Sequence, residues 1–412
     1  VVLDPWPVLP VILTSSGLLH SKSDQRWDNL VTALESEHYD RIYEIQISNM
    51  TQSHLARFAA AMQKPFLELT RFKLSVVSQL VPVFPDSFLG GSAPRLRTLQ
   101  LESIPFPSIP KLLLSTNGLV KLSLLNVPHS GYFSPDAMGT ALTMMTKLES
   151  LQLGFRTSRS RRGPASQPLP PHTRFVLPAL TSLTFHGFRE YVEDLLARID
   201  APLLDYLSVT FSTYPNFDVP QLHGLIGHAE EFKAFNDADV MISRDSIRLD
   251  LYPKRGAIYH HQLFGLDIRC KELDRQLSSL AQVCSSSFFP LISALEELRI
   301  VCFVFPGSGR KDDTENAQWL ELLDPFTALK DLYLSNDVAL HVFSPLLELS
   351  IERVTQVLPA LQNVFICFLE DSRKPMKIFI AARRRAGRPV RVHCGSENGI
   401  WNDITEELAS GD

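Results

Sequence analysis

The chain has 412 residues, 45% hydrophobic and 21% charged, which is the make-up of a folded protein and not of a disordered one. A formal net charge of −5 argues against a nucleic-acid binder, which usually carries a basic excess. No apolar run reaches the roughly 18 residues that a membrane helix needs. Five cysteines (Cys270, Cys284, Cys302, Cys367 and Cys394) sit at no metal-ligand spacing. With no secretory leader in the sequence, they point to a reducing compartment, cytoplasmic and/or nuclear. Val1 in place of an initiating methionine leads to the expectation of a segment from a longer or processed protein.

Residues 1–40 carry no period and read as an N-terminal capping or linker segment. From Ile42 a short motif begins: an apolar residue, two others, an apolar, one other, an apolar. It reads Ile42-Tyr-Glu-Ile45-Gln-Ile47, then Leu69-Thr-Arg-Phe72-Lys-Leu74, Leu96-Arg-Thr-Leu99-Gln-Leu101 and Leu119-Val-Lys-Leu122-Ser-Leu124. A helix follows near Met145, opened by Ser134 as N-cap with Pro135 in its first turn. The motif returns at Leu148-Glu-Ser-Leu151-Gln-Leu153 and Leu180-Thr-Ser-Leu183-Thr-Phe185. Between them, residues 156–171 mix arginines with prolines and cannot build a core, so an exposed loop is expected there. Tyr191, Val192, Leu195, Leu196 and Ile199 define the apolar face of a helix over Phe188–Ile199.

Leu204-Asp-Tyr-Leu207-Ser-Val209 completes a first series whose starts advance by 27, 27, 23, 29, 32 and 24 residues. The register then blurs up to Leu295. Phe232-Lys-Ala-Phe235 is a weak match, and Ile247, Leu249 and Leu251 alternate, as do Leu266 and Ile268. Irregular units with an extra strand are expected here. Helical patterns follow over Lys271–Cys284, Asn316–Leu323 and Ser344–Leu358. The motif resumes at Leu295-Glu-Glu-Leu298-Arg-Ile300, Leu329-Lys-Asp-Leu332-Tyr-Leu334 and Leu361-Gln-Asn-Val364-Phe-Ile366. Residues 396–412 read as a C-terminal tail.

The last two apolar positions of each motif alternate with polar ones, which is the period of a strand. Strands this short need neighbours. Stacked in parallel, with a helix or turn returning between them, they form a right-handed solenoid of leucine-rich repeats over 41–395. The fold class expected is α/β, a horseshoe with one curved parallel sheet on the concave side and helices on the convex side. A doubly wound α/β protein would need long apolar strands and fewer, larger units. Leu99, Leu122, Leu151, Leu183, Leu207, Leu298 and Leu332 are the expected core. The residues beside them should face out of the sheet: Thr98, Gln100, Lys121, Ser123, Ser150, Gln152, Ser182, Thr184, Tyr206, Ser208, Glu297, Arg299, Asp331, Tyr333, Asn363 and Phe365. Of these, Gln100, Lys121, Gln152, Thr184, Tyr206, Ser208, Arg299, Tyr333 and Phe365 are the candidate protein-binding residues. Tyr and Arg among them are interface anchors elsewhere.

Catalytic patterns are missing. Gly307-Ser-Gly-Arg-Lys311 lacks the spacing and the final Ser/Thr of a phosphate loop. Adjacent His260 and His261 would point to opposite faces of a strand, against a shared metal. Cys270 and Cys284 flank a helical pattern and read as core. Arg383, Arg384, Arg385 and Arg388 could form an import or phosphate-binding patch, but a solvated helix end is the simpler reading. No cofactor, metal or catalytic residue is expected.

Several stretches resemble one family. They are Phe88-Leu-Gly-Gly-Ser-Ala-Pro-Arg-Leu-Arg-Thr-Leu99, Ile104-Pro-Phe-Pro-Ser-Ile-Pro110, Val127-Pro-His-Ser-Gly-Tyr132 and Leu196-Ala-Arg-Ile-Asp-Ala-Pro202. Gln276-Leu-Ser-Ser-Leu280, Trp319-Leu-Glu-Leu-Leu-Asp-Pro-Phe326 and Val357-Leu-Pro-Ala-Leu-Gln-Asn363 belong with them. Together they resemble the F-box-type leucine-rich-repeat proteins of mushroom-forming fungi, from about Trp6 to Arg391. The resemblance implies a substrate receptor of a cullin–RING ubiquitin ligase, whose F-box docks on a Skp-type adaptor while the repeats hold a protein substrate. Leu9-Pro-Val-Ile-Leu13 matches the opening of an F-box only superficially, and no suitable helices follow. The resemblance therefore covers the repeat region, with residues 1–40 as a remnant after a missing F-box, and an adaptor is expected only if an F-box lies upstream of Val1. The other function class open to such a scaffold is a repeat or sensor module with no ubiquitin role.

Overall fold

The computed structural model describes residues 9–15, 24–77, 82–156, 174–212, 219–229, 232, 235–253, 262–285, 289–303, 313–347, 349–367, 373–395 and 401–410. They fall into two compact units, Val1–Asp205 and Tyr206–Asp412.

In the first unit β1 (Val11–Ser15), α1 (Asp24–Glu35), β2 (Ile42–Met50), α2 (Gln52–Ala61), β3 (Arg71–Val76) and β4 (Thr98–Glu102) follow one another. Next come α3 (Ile109–Leu113), β5 (Lys121–Val127), α4 (Pro135–Leu142), β6 (Ser150–Phe155), β7 (Phe175–Val176), β8 (Ser182–Gly187), α5 (Arg189–Leu196) and β9 (Ile199–Asp200). The sheet order is β1-β2-β3-β4-β5-β6-β8, every pair parallel, while β7 and β9 form a separate parallel pair. Parallel strands cannot be joined by a tight hairpin, so each connection crosses back behind the sheet and carries α2 to α5 or a turn. Leu99, Leu122, Leu151 and Leu183 lie in register on adjacent strands and are 0–2% exposed. The repeated leucine is thus one continuous buried rung, as its spacing predicts. Ser134 caps α4 by accepting the amide of Ala137, as the Ser-Pro pair predicts.

Successive turns on the helical side touch closely. A side chain at Gly131 would come within 2.6 Å of Pro105 Cα. Both residues belong to stretches singled out above, Ile104–Pro110 and Val127–Tyr132, and mark a place where consecutive repeats lean on each other.

The second unit runs β10 (Tyr206–Phe211), α6 (Pro220–His228), β11 (Phe235–Ile242), β12 (Ser246–Pro253), β13 (Phe264–Arg269), α7 (Leu273–Ser285), α8 (Phe289–Ile292), β14 (Glu297–Cys302) and α9 (Asp313–Leu323). It continues with β15 (Asp331–Leu334), α10 (Asn336–Leu347), α11 (Ile351–Val354), β16 (Asn363–Ile366), α12 (Arg373–Arg385), β17 (Arg391–Gly395), β18 (Trp401–Asp403) and α13 (Thr405–Ser410). Its sheet order is β10-β13-β12-β11-β14-β15-β16-β17-β18. Where the register blurs in sequence, β11, β12 and β13 form an antiparallel meander, and only β12 is reversed against its parallel neighbours. The turn from β11 to β12 is closed by Ser243, whose amide donates to Ser246 O at 2.9 Å. Parallel pairing then resumes through β17, and β18 folds back antiparallel on it. Leu207, Leu298 and Leu332 are fully buried.

Two expectations need correction. The helix expected over Ser344–Leu358 begins earlier, as α10, and α11 follows it separately. Val338, Ala339, Val342, Phe343 and Leu346 give α10 its buried face. The Ser344-Pro345 pair resembles a helix start, but Ser344 Oγ donates back to Leu340 O at 2.7 Å and caps nothing. Arg383 is likewise not at a solvated helix end. It is fully buried and donates to the carbonyls of Val354, Leu358 and Leu361 at 3.2–3.4 Å. Those carbonyls end α11 and the turn after it, so Arg383 satisfies acceptors that the turn leaves open. Cys270 and Cys284 are buried, and burial pushes the Cys284 thiol up to about 12, which suits a core residue.

Candidate functional site

Each sheet has one face packed on its helices and one left open. In the first unit the central row of the open face is Thr14, Gln46, Lys73, Gln100, Ser123, Gln152 and Thr184, residue beside residue on adjacent strands. A second row holds Glu44, Arg71, Thr98, Lys121, Ser150 and Ser182. Gln100, Lys121, Gln152 and Thr184 are half-buried within this face. Ser123, expected to face outward, is only 4% exposed, because Gln152 accepts its hydroxyl at 2.8 Å and covers it. Glu44 takes Gln46 as a donor and has Arg71 3.7 Å away. The face is amides, hydroxyls and long cations, with the Glu44 carboxylate beside Arg71.

The second unit places a different row on its open face: Ser208, Gly265, Asp250, Asp239, Arg299, Tyr333, Phe365 and His393, again in register across eight strands. Strands about 4.8 Å apart bring planar groups in register to stacking distance. Tyr333 and Phe365 stack with centroids 4.3 Å apart and planes 8° from parallel. Phe365 stacks on His393 at 4.7 Å. The guanidinium of Arg299 lies 5.2 Å from the Tyr333 ring, at cation–π range, and its Nε is 4.0 Å from Asp239. Trp401, on the folded-back β18, stands nearly perpendicular to both rings, 6.0 Å from Tyr333 and 5.3 Å from Phe365. All five side chains remain partly exposed.

Farther along the row the face is polar and closed. Asp250 is 2% exposed although it sits on the open side. Arg248 Nε donates to both its oxygens at 2.8 Å, and Gln262 Nε2 donates to Oδ1 at 2.6 Å. Arg248 also donates to Gln262 Oε1 at 3.0 Å. Gly265 leaves room for this trio, since a Cβ there would sit 2.9 Å from Asp250 Oδ1 and closer still to Gln262. Burial pushes the Asp250 carboxyl up to about 6, against the pull of Arg248.

Arg299, Tyr333 and Phe365 are therefore brought together, and Tyr206 and Ser208 lie on β10 of the same unit. His393, Trp401 and the Arg248–Asp250–Gln262 trio escaped the sequence reading. The alternation of Val390, Val392 and Cys394 was a signal for β17 and would have put His393 outward. The Arg156–Pro171 loop lies outside the described residues except for exposed Arg156, and His260, His261 and Gly307–Lys311 lie outside them too. Among the described residues no group of three or more His, Cys, Asp or Glu could hold a metal ion. No helix among them is long and apolar enough to cross a membrane.

No family model matches the chain. No curated protein sequence matches it. Among solved structures it is similar to the leucine-rich repeat-containing protein LegL7 from Legionella pneumophila, at 11% identity and a TM-score of 0.26, over 85% of this chain and 82% of that one. The repeat architecture rests on the chain's own strand ladder: parallel strands in register, helices on the crossovers, and one apolar rung, most often leucine, running across them.

Proposed function

We propose that the chain is a non-catalytic protein-recognition scaffold, and that its partner anchors on the open face of the second unit. The observation that carries this reading is the column Arg299, Tyr333, Phe365 and His393 with Trp401 against it. Aromatic and arginine side chains held rigid on adjacent strands lose little freedom when a partner covers them, which is what interface anchors need. Tyr206 and Ser208 on the same unit, and Gln100, Lys121, Gln152 and Thr184 on the first, offer polar contacts. An enzyme would instead converge a few polar groups on one deep cleft.

The finer reading rests on the resemblance to F-box-type repeat proteins: the chain is the substrate-receptor region of a cullin–RING ubiquitin ligase, working in the cytoplasm or nucleus. A Skp-type adaptor would join through an F-box encoded upstream of Val1. The test is affinity capture with the wild-type chain and with a Tyr333→Ala/Phe365→Ala double variant, read by quantitative mass spectrometry. The expected result is loss of a discrete set of proteins from the variant. Partners recovered equally by both would overturn the assignment of the face. Co-purification of an adaptor with the product of the full reading frame checks the ligase role separately.

A further inference from the structure

The second unit carries another surface, away from its open sheet face. A groove of about 560 Å³ lies among α10, α11, α12 and α13. Its apolar lining includes Leu346, Leu349, Val354 and Ile378, and the charged side chains that line it among the described residues are Lys377, Arg384 and Arg385. The cause is the make-up of α12. Met376, Phe379, Ile380 and Arg383 follow helical spacing and are buried. Phe379 and Ile380 form part of the groove wall, and Lys377, Ile378, Arg384 and Arg385 line it beside them, with Ile378 47% exposed.

The chain already shows what this surface accepts. In α13, Glu406 pairs with Arg384 at 2.8 Å and Glu407 with Arg373 at 3.0 Å. The next residue, Leu408, is 2% exposed and lines the groove. An acidic pair followed by an apolar anchor thus sits at one side of the groove, while its basic rim continues past it to Arg385. Exposed ion pairs of this sort contribute little each, so binding there needs the apolar anchor as well as the charge.

We propose that this groove is a second docking site, for an acidic amphipathic segment of a partner protein that sets a carboxylate against Arg385 and an apolar side chain beside Ile378. The proposal is independent of the open-face reading. A concave, basic-rimmed groove favours a peptide over a membrane, which needs an apolar surface that protrudes.

The test is fluorescence-anisotropy titration of the full chain with a labelled helical peptide of Leu and Glu arranged on opposite faces. A peptide with Lys in place of Glu is the control, and phosphatidylserine vesicles form a separate arm. The expected result is saturable binding of the Glu peptide alone. Arg385→Glu and Ile378→Asp should each weaken it about tenfold, with thermal melts unchanged because both side chains are exposed. The Tyr333→Ala/Phe365→Ala variant should bind it as the wild type does. Equal binding of both peptides, indifference to the groove variants, or binding to vesicles alone would overturn the proposal.

Discussion

The two open sheet faces are built on the same buried rung and differ in nearly everything above it. On the first unit the central row runs Gln46, Lys73, Gln100, Ser123, Gln152, Thr184, and its contacts are hydrogen bonds such as Ser123 to Gln152. On the second it runs Asp250, Asp239, Arg299, Tyr333, Phe365, His393, and its contacts are a stacked column and an ion pair between buried Asp250 and the more exposed Arg248. The difference teaches that the repeat fixes only alternate residues. The inward ones are apolar side chains, most often leucine, while the outward ones are free to specialise. Polar side chains on the first unit are tied to one another by hydrogen bonds, and aromatic ones on the second are preformed by stacking.

If the inward rung is common to both units, equal truncations should cost the same. Leu122→Ala in the first and Leu298→Ala in the second each remove a fully buried side chain from the middle of a ladder. Each should destabilise by about 2–5 kcal/mol, measured by urea denaturation. A large cost in one unit with a negligible cost in the other would break the claim of a shared rung.

The outward rows should respond differently to pH, and Asp250 gives the largest effect. Its carboxyl moves from an ordinary value of 3.8 to about 6 on folding because burial disfavours the charged form. That shift is worth roughly 3 kcal/mol. The folded state holds its proton more tightly, so the contribution is fully present below pH of about 4. It is lost as pH rises through about 6. The corresponding row of the first unit consists of amides, hydroxyls and Lys73, with no carboxylate in it. The stability of the wild type minus that of Asp250→Asn should therefore fall across this range in denaturation experiments. A flat difference would mean that Gln262 and Arg248 do not shut Asp250 off from water.

How much of this the sequence revealed follows from the same contrast. The ladder was legible because leucine at a fixed spacing has one physical reading, and Arg299, Tyr333 and Phe365 followed from strand alternation alone. The meander of β11–β13 was legible as a loss of rhythm and, from the alternations at Ile247–Leu251 and Leu266–Ile268, as an extra strand; its reversed direction was not, since antiparallel strands need no helix between them and so erase the period. Asp250 could be placed on the open side by the alternation of Ile247, Leu249 and Leu251. That Gln262, distant in sequence, would lie over it could not. Trp401 was missed because β18 is a short folded-back strand with no leucine of its own. Arg383 was misread because its neighbours Arg384 and Arg385 look alike in sequence, and only the helix phase separates a buried arginine from two exposed ones.

Two glycines sharpen the comparison at its finest grain. Gly154 on β6 and Gly265 on β13 both lie on open faces, paired beside His186 and Asp250 respectively. Glycine inside a strand is a weakness, because it leaves the unfolded chain too much freedom and packs nothing. At Gly154 an added Cβ would meet Asn126 N at 3.4 Å and Leu125 and His186 side chains at 3.5 and 3.6 Å, which is ordinary contact. Gly154→Ala should then stabilise by about 0.4–1 kcal/mol. At Gly265 the same carbon would run into Gln262 and Asp250 Oδ1, groups pinned by Arg248 in a closed network. Gly265→Ala should destabilise by about 1–3 kcal/mol, the cost of breaking the hydrogen bonds that hold Gln262 and Asp250 in place. The two substitutions are chemically identical and should have opposite signs in the same thermal melt. Equal signs would show that the second face is as yielding as the first, and the preformed character assigned to it would go with them.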